Sequence, residues 1–380
     1  MAGKWRSANS PWVKQLMEDF ADNAVHQITT LCASQAAKTE TMLALLNWVI
    51  SEDPGPTIWV TSTDEEALKF ANERMMPSFQ LCEPVRRQIP DDRTLAKSME
   101  VMFPTMMMEI VGAESKVQLQ SRSRRFLFLD EVRNWPKWSL PLVLKRDRAW
   151  WNSRVVILTT PDMVDDTVHM EFKAGSQNRY HVPCASCGVK EELAFVNLKA
   201  EHPQTHQVCK WSEVPGVLDA DKKWDFELLA PQIRYVCPAC GHLHADHPTV
   251  RRRFAVEGKW VSHNPKAPPH HRSYTWSALL PPWVKWRKIV EEFVLAQSAL
   301  EFGNHEPLRE FITGTLGQPW EDRLRFAKSE NYIAERLSDF SGPFVEVRRF
   351  LSIDVQGKGG RHFFWSVHAF AQGGAQRVLA

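Results

Sequence analysis

Four of the seven cysteines come as two C-x-x-C-G knuckles, Cys184 with Cys187 before Gly188 and Cys237 with Cys240 before Gly241. Thiolates three residues apart in such a turn converge, and two turns supply four sulfurs at tetrahedral geometry, the coordination of a structural Zn2+. A saturated four-sulfur site has no open position, so its role is structural and not catalytic. The alternatives are accidental spacing or redox thiols, and the glycine flanking both copies argues against them. Cys32, Cys82 and Cys209 are scattered, too few for a disulfide framework. His242, His244 and His247 lie close by, but four sulfurs suffice, so these read as surface histidines.

A second constellation is split along the chain. Cys32-Ala33-Ser34-Gln35-Ala36-Ala37-Lys38-Thr39 has the spacing of the phosphate loop G-x-x-x-x-G-K-[ST], with Lys38 and Thr39 in place and both glycines replaced, by Cys32 and Ala37. Such a loop aims backbone N–H groups, here those around Gln35, Ala36 and Ala37, at phosphate, sets a lysine on the outer phosphates and a hydroxyl on Mg2+. Ala can stand for Gly where the local φ stays negative. Taken alone, the segment reads equally well as an ordinary helix N-terminus. Further on, Phe126-Leu127-Phe128-Leu129 runs into Asp130 and Glu131. A buried strand ending this way delivers carboxylates to the edge where open α/β sheets bind ligands. Asp130 would then hold Mg2+ and Glu131 would polarise an attacking water. A third apolar run, Val155 to Leu158, ends in Thr159, Thr160 and Pro161, the place where ATP motors link nucleotide state to their grip on DNA.

The elements that carry these residues alternate between helices and short apolar strands, the pattern of a mostly parallel sheet covered on both faces. Trp12, Leu16 and Phe20 recur at helical spacing, Ile28 to Thr30 is a β-branched run, and 40–50 reads as a buried helix. Pro54-Gly55-Pro56 is a turn, 58–61 a strand, and 64–75 a helix capped by Thr63 or Asp64. Near residue 180 this gives way to a stretch rich in Cys, His, Pro and turn residues that runs to about 262. Helices return at 282–298 and 306–311, and 318–345 reads as a linker. Residues 350–355 and 362–370 form the arms of a hairpin across the loop 357–360.

The chain has 380 residues, 43% of them hydrophobic, enough for two or three domains of roughly 100–200 residues each. Lys+Arg number 47 and Asp+Glu 45, which excludes a generally basic coat protein or a polyacidic tail while leaving room for local basic patches. The longest uncharged stretches, 23–37 and 362–376, fall short of the ~18 apolar residues of a membrane span, and no apolar signal core opens the chain.

With these pieces in order, the sequence resembles the large terminase subunit of tailed bacteriophages, in the GpA-like branch. The likeness runs from about Trp5 to Gln356. It is carried by Trp5-Arg6-Ser7 with Ser10-Pro11-Trp12, by Gln35 and Lys38-Thr39-Glu40, and by Gly112-Ala113. It continues through Ser121-Arg122-Ser123-Arg124-Arg125, Leu129-Asp130-Glu131-Val132, Thr160-Pro161, both cysteine knuckles, Gly258-Lys259-Trp260 and Leu316-Gly317-Gln318-Pro319-Trp320. The resemblance implies a P-loop, RecA/terminase-like α/β ATPase with a mostly parallel sheet, an inserted zinc ribbon and the start of an RNase H-like domain. The implied domains are an ATPase core over 1–179, the zinc-ribbon insert over 180–262, the remainder of the ATPase or a linker subdomain over 263–335, and the first nuclease hairpin over 346–380. The implied activity is ATP-driven translocation of double-stranded DNA into a procapsid, with a nuclease that cuts concatemers. ATP, Mg2+, structural Zn2+ and a divalent metal at a complete nuclease site are the implied cofactors. The implied partners are double-stranded DNA, a small terminase subunit and the portal, with the active protein a homo-oligomeric ring in the host cytoplasm and no membrane partner.

Two departures from that family stand out. Many large terminases carry an arginine inside the phosphate loop, and Ser34 occupies the comparable position here. Arg122, Arg124 or Arg125, on the segment feeding the Asp-Glu strand, are the expected substitutes. Asp354 matches the first metal-binding carboxylate of the nuclease, yet it is the only carboxylate after Glu346, so this chain is expected to hydrolyse ATP without cutting DNA. The competing readings are a superfamily-2-like helicase, which needs a second motor half not visible between 263 and 345, and a non-enzymatic zinc-ribbon nucleic-acid-binding protein with a decayed nucleotide site.

Overall fold

The computed structural model describes residues 6–91, 99–120, 123–220, 223–321, 345–356, 362–371 and 376–378. The chain forms two units, Met1–Glu321 and Asp322–Ala380. The first eight strands are β1 (Gln27–Cys32), β2 (Thr57–Thr61), β3 (Glu100–Met102), β4 (Met107–Gly112), β5 (Phe126–Asp130), β6 (Arg154–Thr159), β7 (Asn178–Pro183) and β8 (Lys190–Glu192). A separate small antiparallel sheet follows, made of β9 (Leu198–Glu201), β10 (Val208–Cys209), β11 (Ile233–Val236) and β12 (Leu243–Ala245). The chain then returns to the large sheet with β13 (Lys259–Ser262) and β14 (His271–Trp276).

The large sheet runs in the order β13-β7-β14-β1-β6-β5-β2-β4-β3, with β8 beside β7. From β7 to β4 every pairing is parallel; the antiparallel pairs, β13/β7, β7/β8 and β3/β4, lie at the margins. Parallel strands need crossovers, and the crossover helices bury both faces. The side chains of β5 show this: Phe126 and Phe128 join the core on one face, with Trp12, Phe20 and Trp59, while Leu127 and Leu129 join the core on the other, with Ile58 and Val60.

Helix α1 (Val13–Ala21) buries Val13, Leu16 and Phe20, the helical stripe expected from the sequence. Helix α2 (Lys38–Glu52) is the buried helix after the phosphate loop. Thr63 caps α3 (Asp64–Phe70) by accepting the N–H of Glu66 at 3.2 Å. The expected helix over 64–75 departs from the α form at its end: Ala71–Met75 is a π turn, and the α form resumes over Met76–Leu81.

Two features of the sheet differ from expectation. The break near residue 180 falls inside β7, so the flanks of the cysteine-rich insert, β7 and β13, themselves extend the large sheet. The sheet also takes in β14, beside β1, although His271-Arg272-Ser273-Tyr274-Thr275-Trp276 has no apolar run. Its buried polar groups are paired, with His271 Nε2 against Thr29 Oγ1 at 3.1 Å and Ser273 Oγ donating to the Phe172 carbonyl at 2.8 Å.

In the second unit, β15 (Glu346–Gln356) and β16 (His362–Ala371) form the expected antiparallel hairpin, and a third strand, β17 (Gln376–Val378), joins it. The loop 357–361 and the stretch 322–344, most of the expected linker, lie outside the described residues. No helix among the described residues is long and apolar enough to cross a membrane.

Candidate functional site

Because β6 lies between β1 and β5, the ends of three adjacent parallel strands meet. β1 ends at the phosphate loop, β5 at Asp130 and Glu131, and β6 at Thr159 and Thr160. The register sets Thr30 and Asp130 on either side of Leu158.

The phosphate loop is held by residues far away in sequence. The Trp276 indole donates to the Ala36 carbonyl at 3.0 Å, and the Trp283 indole to the Gln35 carbonyl at 3.2 Å. The Ala33 N–H donates to the Trp276 carbonyl at 3.0 Å and the Ser34 N–H to the Gly314 carbonyl at 2.6 Å. Gly317 has φ +65°, and a Cβ there would stand 2.8 Å from the Trp276 carbonyl oxygen and 3.0 Å from the Ala33 nitrogen. Among the described residues, the N–H groups of Gln35, Ala36 and Ala37 find no protein acceptor. That leaves them, at the start of α2, in the arrangement that binds an anion. Lys38 Nζ curls back to the Ala33 carbonyl at 3.2 Å.

The condition under which Ala replaces Gly without strain is not met: Ala37 has φ +72° and Gln35 has φ +54°. The loop keeps the left-handed turn that glycine serves in the consensus, at roughly 1–2 kcal/mol for each non-glycine residue. Glu131, with φ +51°, is a third such residue, so three of the six non-glycine residues with positive φ among the described residues gather here. Clustered strain of this kind marks functional sites.

Cys32, in the first glycine position, is fully buried, and burial pushes its thiol up to about 12, so it packs as an inert small side chain. Asp130 is 6% exposed. Burial first, then the charge of Glu131, pushes its carboxyl up to about 7, while Lys38 pulls the other way. Glu131 is exposed and lines an open cavity of about 1500 Å³ together with Gln35, Lys38, Thr39, Trp48 and Trp283. One cavity therefore brings the loop and the second acid together, with the first acid buried beneath. Thr159 Oγ1 accepts the Arg133 N–H at 3.2 Å, and Thr160 Oγ1 accepts Arg133 Nη1 at 3.2 Å. Arg133 Nη2 goes on to Glu310 at 3.0 Å. Arg133, Trp276 and Gly314 are the residues that sequence reasoning missed, since no motif marks them.

The arginines expected to serve the nucleotide do not reach it. Arg124 is buried and paired with Glu109, and Arg125 holds Asp53 with both Nη atoms, at 2.8 and 2.6 Å. Both stand where the chain enters β5, whereas Asp130 is at its other end, five strand residues or roughly 17 Å away. Nearness in sequence to the Asp-Glu strand placed them at the wrong end of it. Arg122 lies outside the described residues.

The four knuckle sulfurs lie within 4.8 Å of one another. Cys184 Sγ is 3.8 Å from Cys240 Sγ, and Cys187 Sγ is 3.9 Å from Cys237 Sγ. Four sulfurs in a tetrahedron at 2.3 Å from one zinc ion stand about 3.8 Å apart, so the residues fit that metal. Burial disfavours a thiolate at Cys184, but the N–H groups of Cys187 and Ser186 outweigh it and bring the thiol down to about 7. At Cys187 the Val189 N–H favours the thiolate, yet burial and the three neighbouring sulfurs push it up to about 12. Four thiolates together thus call for a cation between them. Cys209 lies on β10, outside the cluster.

Of the three nearby histidines expected at the surface, His242 and His247 are exposed and His244 is not. His244 is buried, its ring 5.0 Å from that of Phe254, and burial lowers it to about 4. His247 caps α4 (Pro248–Glu257). Between them, Asp246 pairs with Arg251 and accepts the N–H groups of Trp286 and Arg287, at 3.2 and 3.0 Å, at the start of α5 (Trp286–Glu301). Arg251 Nε donates to the Pro282 carbonyl at 3.0 Å, one residue before the tryptophan that holds Gln35. In the second unit, Asp354 pairs with Phe364 in the hairpin register, and its side chain lies outside the described residues.

A family model described as phage terminase large subunit gpA, ATPase domain, matches residues 1–260. One described as terminase large subunit gpA, endonuclease domain, matches residues 271–379, starting at β14 and ahead of the hairpin to which the sequence reading confined that domain. No curated protein matches the chain. Among solved structures, the large terminase ATPase domain of Thermus phage P74-26 is similar at 12% identity, over 80% of this chain and 97% of that one, with a TM-score of 0.41. A mutant of that domain gives 12%, 81%, 98% and 0.40.

Proposed function

The chain belongs to the gpA family of phage terminase large subunits, and on that premise we propose how its residues divide the work. The protein is the ATPase of a DNA-packaging motor and carries an endonuclease domain. In the proposed site, the free N–H groups of Gln35, Ala36 and Ala37 cradle the phosphates of ATP, with Lys38 on the outer ones. Thr39 and Asp130 would hold Mg2+, which neutralises charge on the transferred phosphoryl group when bound. Glu131, exposed in the cavity, orients the attacking water and accepts its proton. Thr159 and Thr160, through Arg133, pass the state of this site to Glu310. The observation that carries the reading is the single cavity in which the left-handed loop 35–39 faces Glu131, with Asp130 buried beside it.

We assign one structural Zn2+ to Cys184, Cys187, Cys237 and Cys240, and Asp354 to a nuclease metal. The zinc-ribbon insert and the segment from 263 up to the second unit are read as parts of the motor, because β13 and β14 extend its sheet. The protein binds DNA; the small terminase subunit, the portal and a ring of identical subunits in the host cytoplasm are its proposed surroundings. The test is ATP turnover with and without DNA. Lys38→Ala should lower turnover on the order of 10²–10³-fold or more, and Glu131→Gln should bind nucleotide without hydrolysing it. Wild-type turnover in Lys38→Ala would sink the assignment.

A further inference from the structure

We propose that Arg74 is the arginine that contacts the terminal phosphate of the bound nucleotide, giving up Glu40 to do so. The inference rests on the cavity being the ATP site and supplies the cation that Ser34 does not. Arg124 and Arg125 are held at the far end of β5, and Arg133 is committed to Thr160 and Glu310. Arg6, Arg74 and Arg252 line the cavity. Of these, Arg74 is the one paired with α2, directly behind the phosphate loop. β2 neighbours β5, and the helical run that follows β2, from Asp64 to Leu81, carries Arg74. Arg74 sits in the π turn Ala71–Met75, where the extra residue per turn re-aims side chains that an α-helix would point elsewhere.

Arg74 is paired with Glu40, in the first turn of α2 and next to Thr39. The two side chains are 49% and 44% exposed. An ion pair that open to water is weak and easily exchanged. A terminal phosphate, with more charge and three acceptor oxygens, competes well for a guanidinium, which can grip it with two parallel N–H groups. Glu40 thus keeps Arg74 at the mouth of the site until a triphosphate draws it in, whereas a diphosphate offers nothing at that position.

The experiment uses the full chain and compares binding of ADP with binding of a non-hydrolysable ATP analogue, together with ATP turnover. Arg74→Ala should lose the preference for the analogue over ADP, keep ADP binding within about threefold, and slow turnover by about 10³-fold or more, the scale of an arginine finger. Arg74→Lys keeps the charge and the Glu40 pair but not the two-pronged grip, so it should fall between wild type and Arg74→Ala; it also serves if Arg74→Ala does not fold. An unchanged analogue-to-ADP ratio and unchanged turnover in either variant overturns the proposal, as does a loss of preference in Arg252→Ala with none in Arg74→Ala. Lys38→Ala is run alongside. If it leaves binding of both nucleotides intact, the reading of the cavity as the ATP site has failed, a different result from failure of Arg74 alone.

Discussion

The phosphate loop and the cysteine hairpins both turn the backbone through left-handed residues, and they do so by opposite means. In the hairpins the left-handed residue is glycine, Gly188 at φ +73° and Gly241 at φ +75°, and a Cβ at either would meet nothing within 4 Å. Each knuckle closes on itself, with the Gly188 N–H donating to the Cys184 carbonyl and the Gly241 N–H to the Cys237 carbonyl. In the loop the left-handed residues are Gln35 and Ala37, and the conformation is imposed by Trp276, Trp283 and Gly314. A shape made from local residues is self-contained. A shape made from strained residues depends on the rest of the fold.

The largest test of that contrast is to remove the metal. Structural zinc contributes on the order of 10–16 kcal/mol in small zinc-dependent folds. Cys237→Ser should lower zinc from one per chain to near none and open 184–245 to limited proteolysis. ATP turnover should fall with it, because Asp246 and Arg251 tie that region to Pro282 beside the loop. Wild-type protein purified without chelator and found free of zinc would break the comparison at its root.

The nucleotide half should answer in the opposite sense, since its functional groups are held against their preference. Burial raises Asp130 from 3.8 to about 7, so the folded chain holds this proton more tightly than the unfolded one. Unfolding then releases a proton between about pH 4 and 7, and this residue makes the protein less stable as pH rises through that window, with the full penalty above pH 7. Asp130→Asn should gain stability relative to wild type between pH 4 and 8 in denaturation curves, while losing turnover. A pH-independent difference would show that the acid carries no such burden.

The smallest effects are the sharpest. Ala37→Gly should stabilise the protein by about 0.5–1 kcal/mol, the relief of left-handed strain less the greater freedom of glycine in the unfolded chain. Gly188→Ala should destabilise it by about 1–2 kcal/mol. Thermal melting of the two variants should move in opposite directions; shifts of the same sign would dissolve the contrast.

What the sequence reveals follows the same division. The cysteine knuckles, the apolar run into Asp130 and Glu131, and the helix behind Lys38 are local patterns, and each lies where the spacing puts it. β14 was not legible because its burial is achieved by paired polar groups such as His271 and Ser273, which leave no apolar signature. The positive φ of Ala37 is not legible from its neighbours because the bonds that force it come from residues 276–314. Arg124 and Arg125 were misplaced because sequence adjacency to a strand does not say which end of it performs chemistry. His244 read as a surface group because its partner in the core, Phe254, sits on the next helix.

The reach from the loop to its supports also sets an order of events during synthesis. Residues 32–39 leave the ribosome early, but Trp276, Trp283 and Gly314 follow only after nearly the whole motor half has been made. At 5–20 residues per second, that interval is roughly 15–60 s. The four cysteines of the hairpins have all emerged once Cys240 has, so that cluster can form before the nucleotide site. Until β14 arrives, β1 presents an unpaired, nearly wholly buried-type edge to the cell. For that interval the nascent chain carries an open sheet edge before it can be an ATPase.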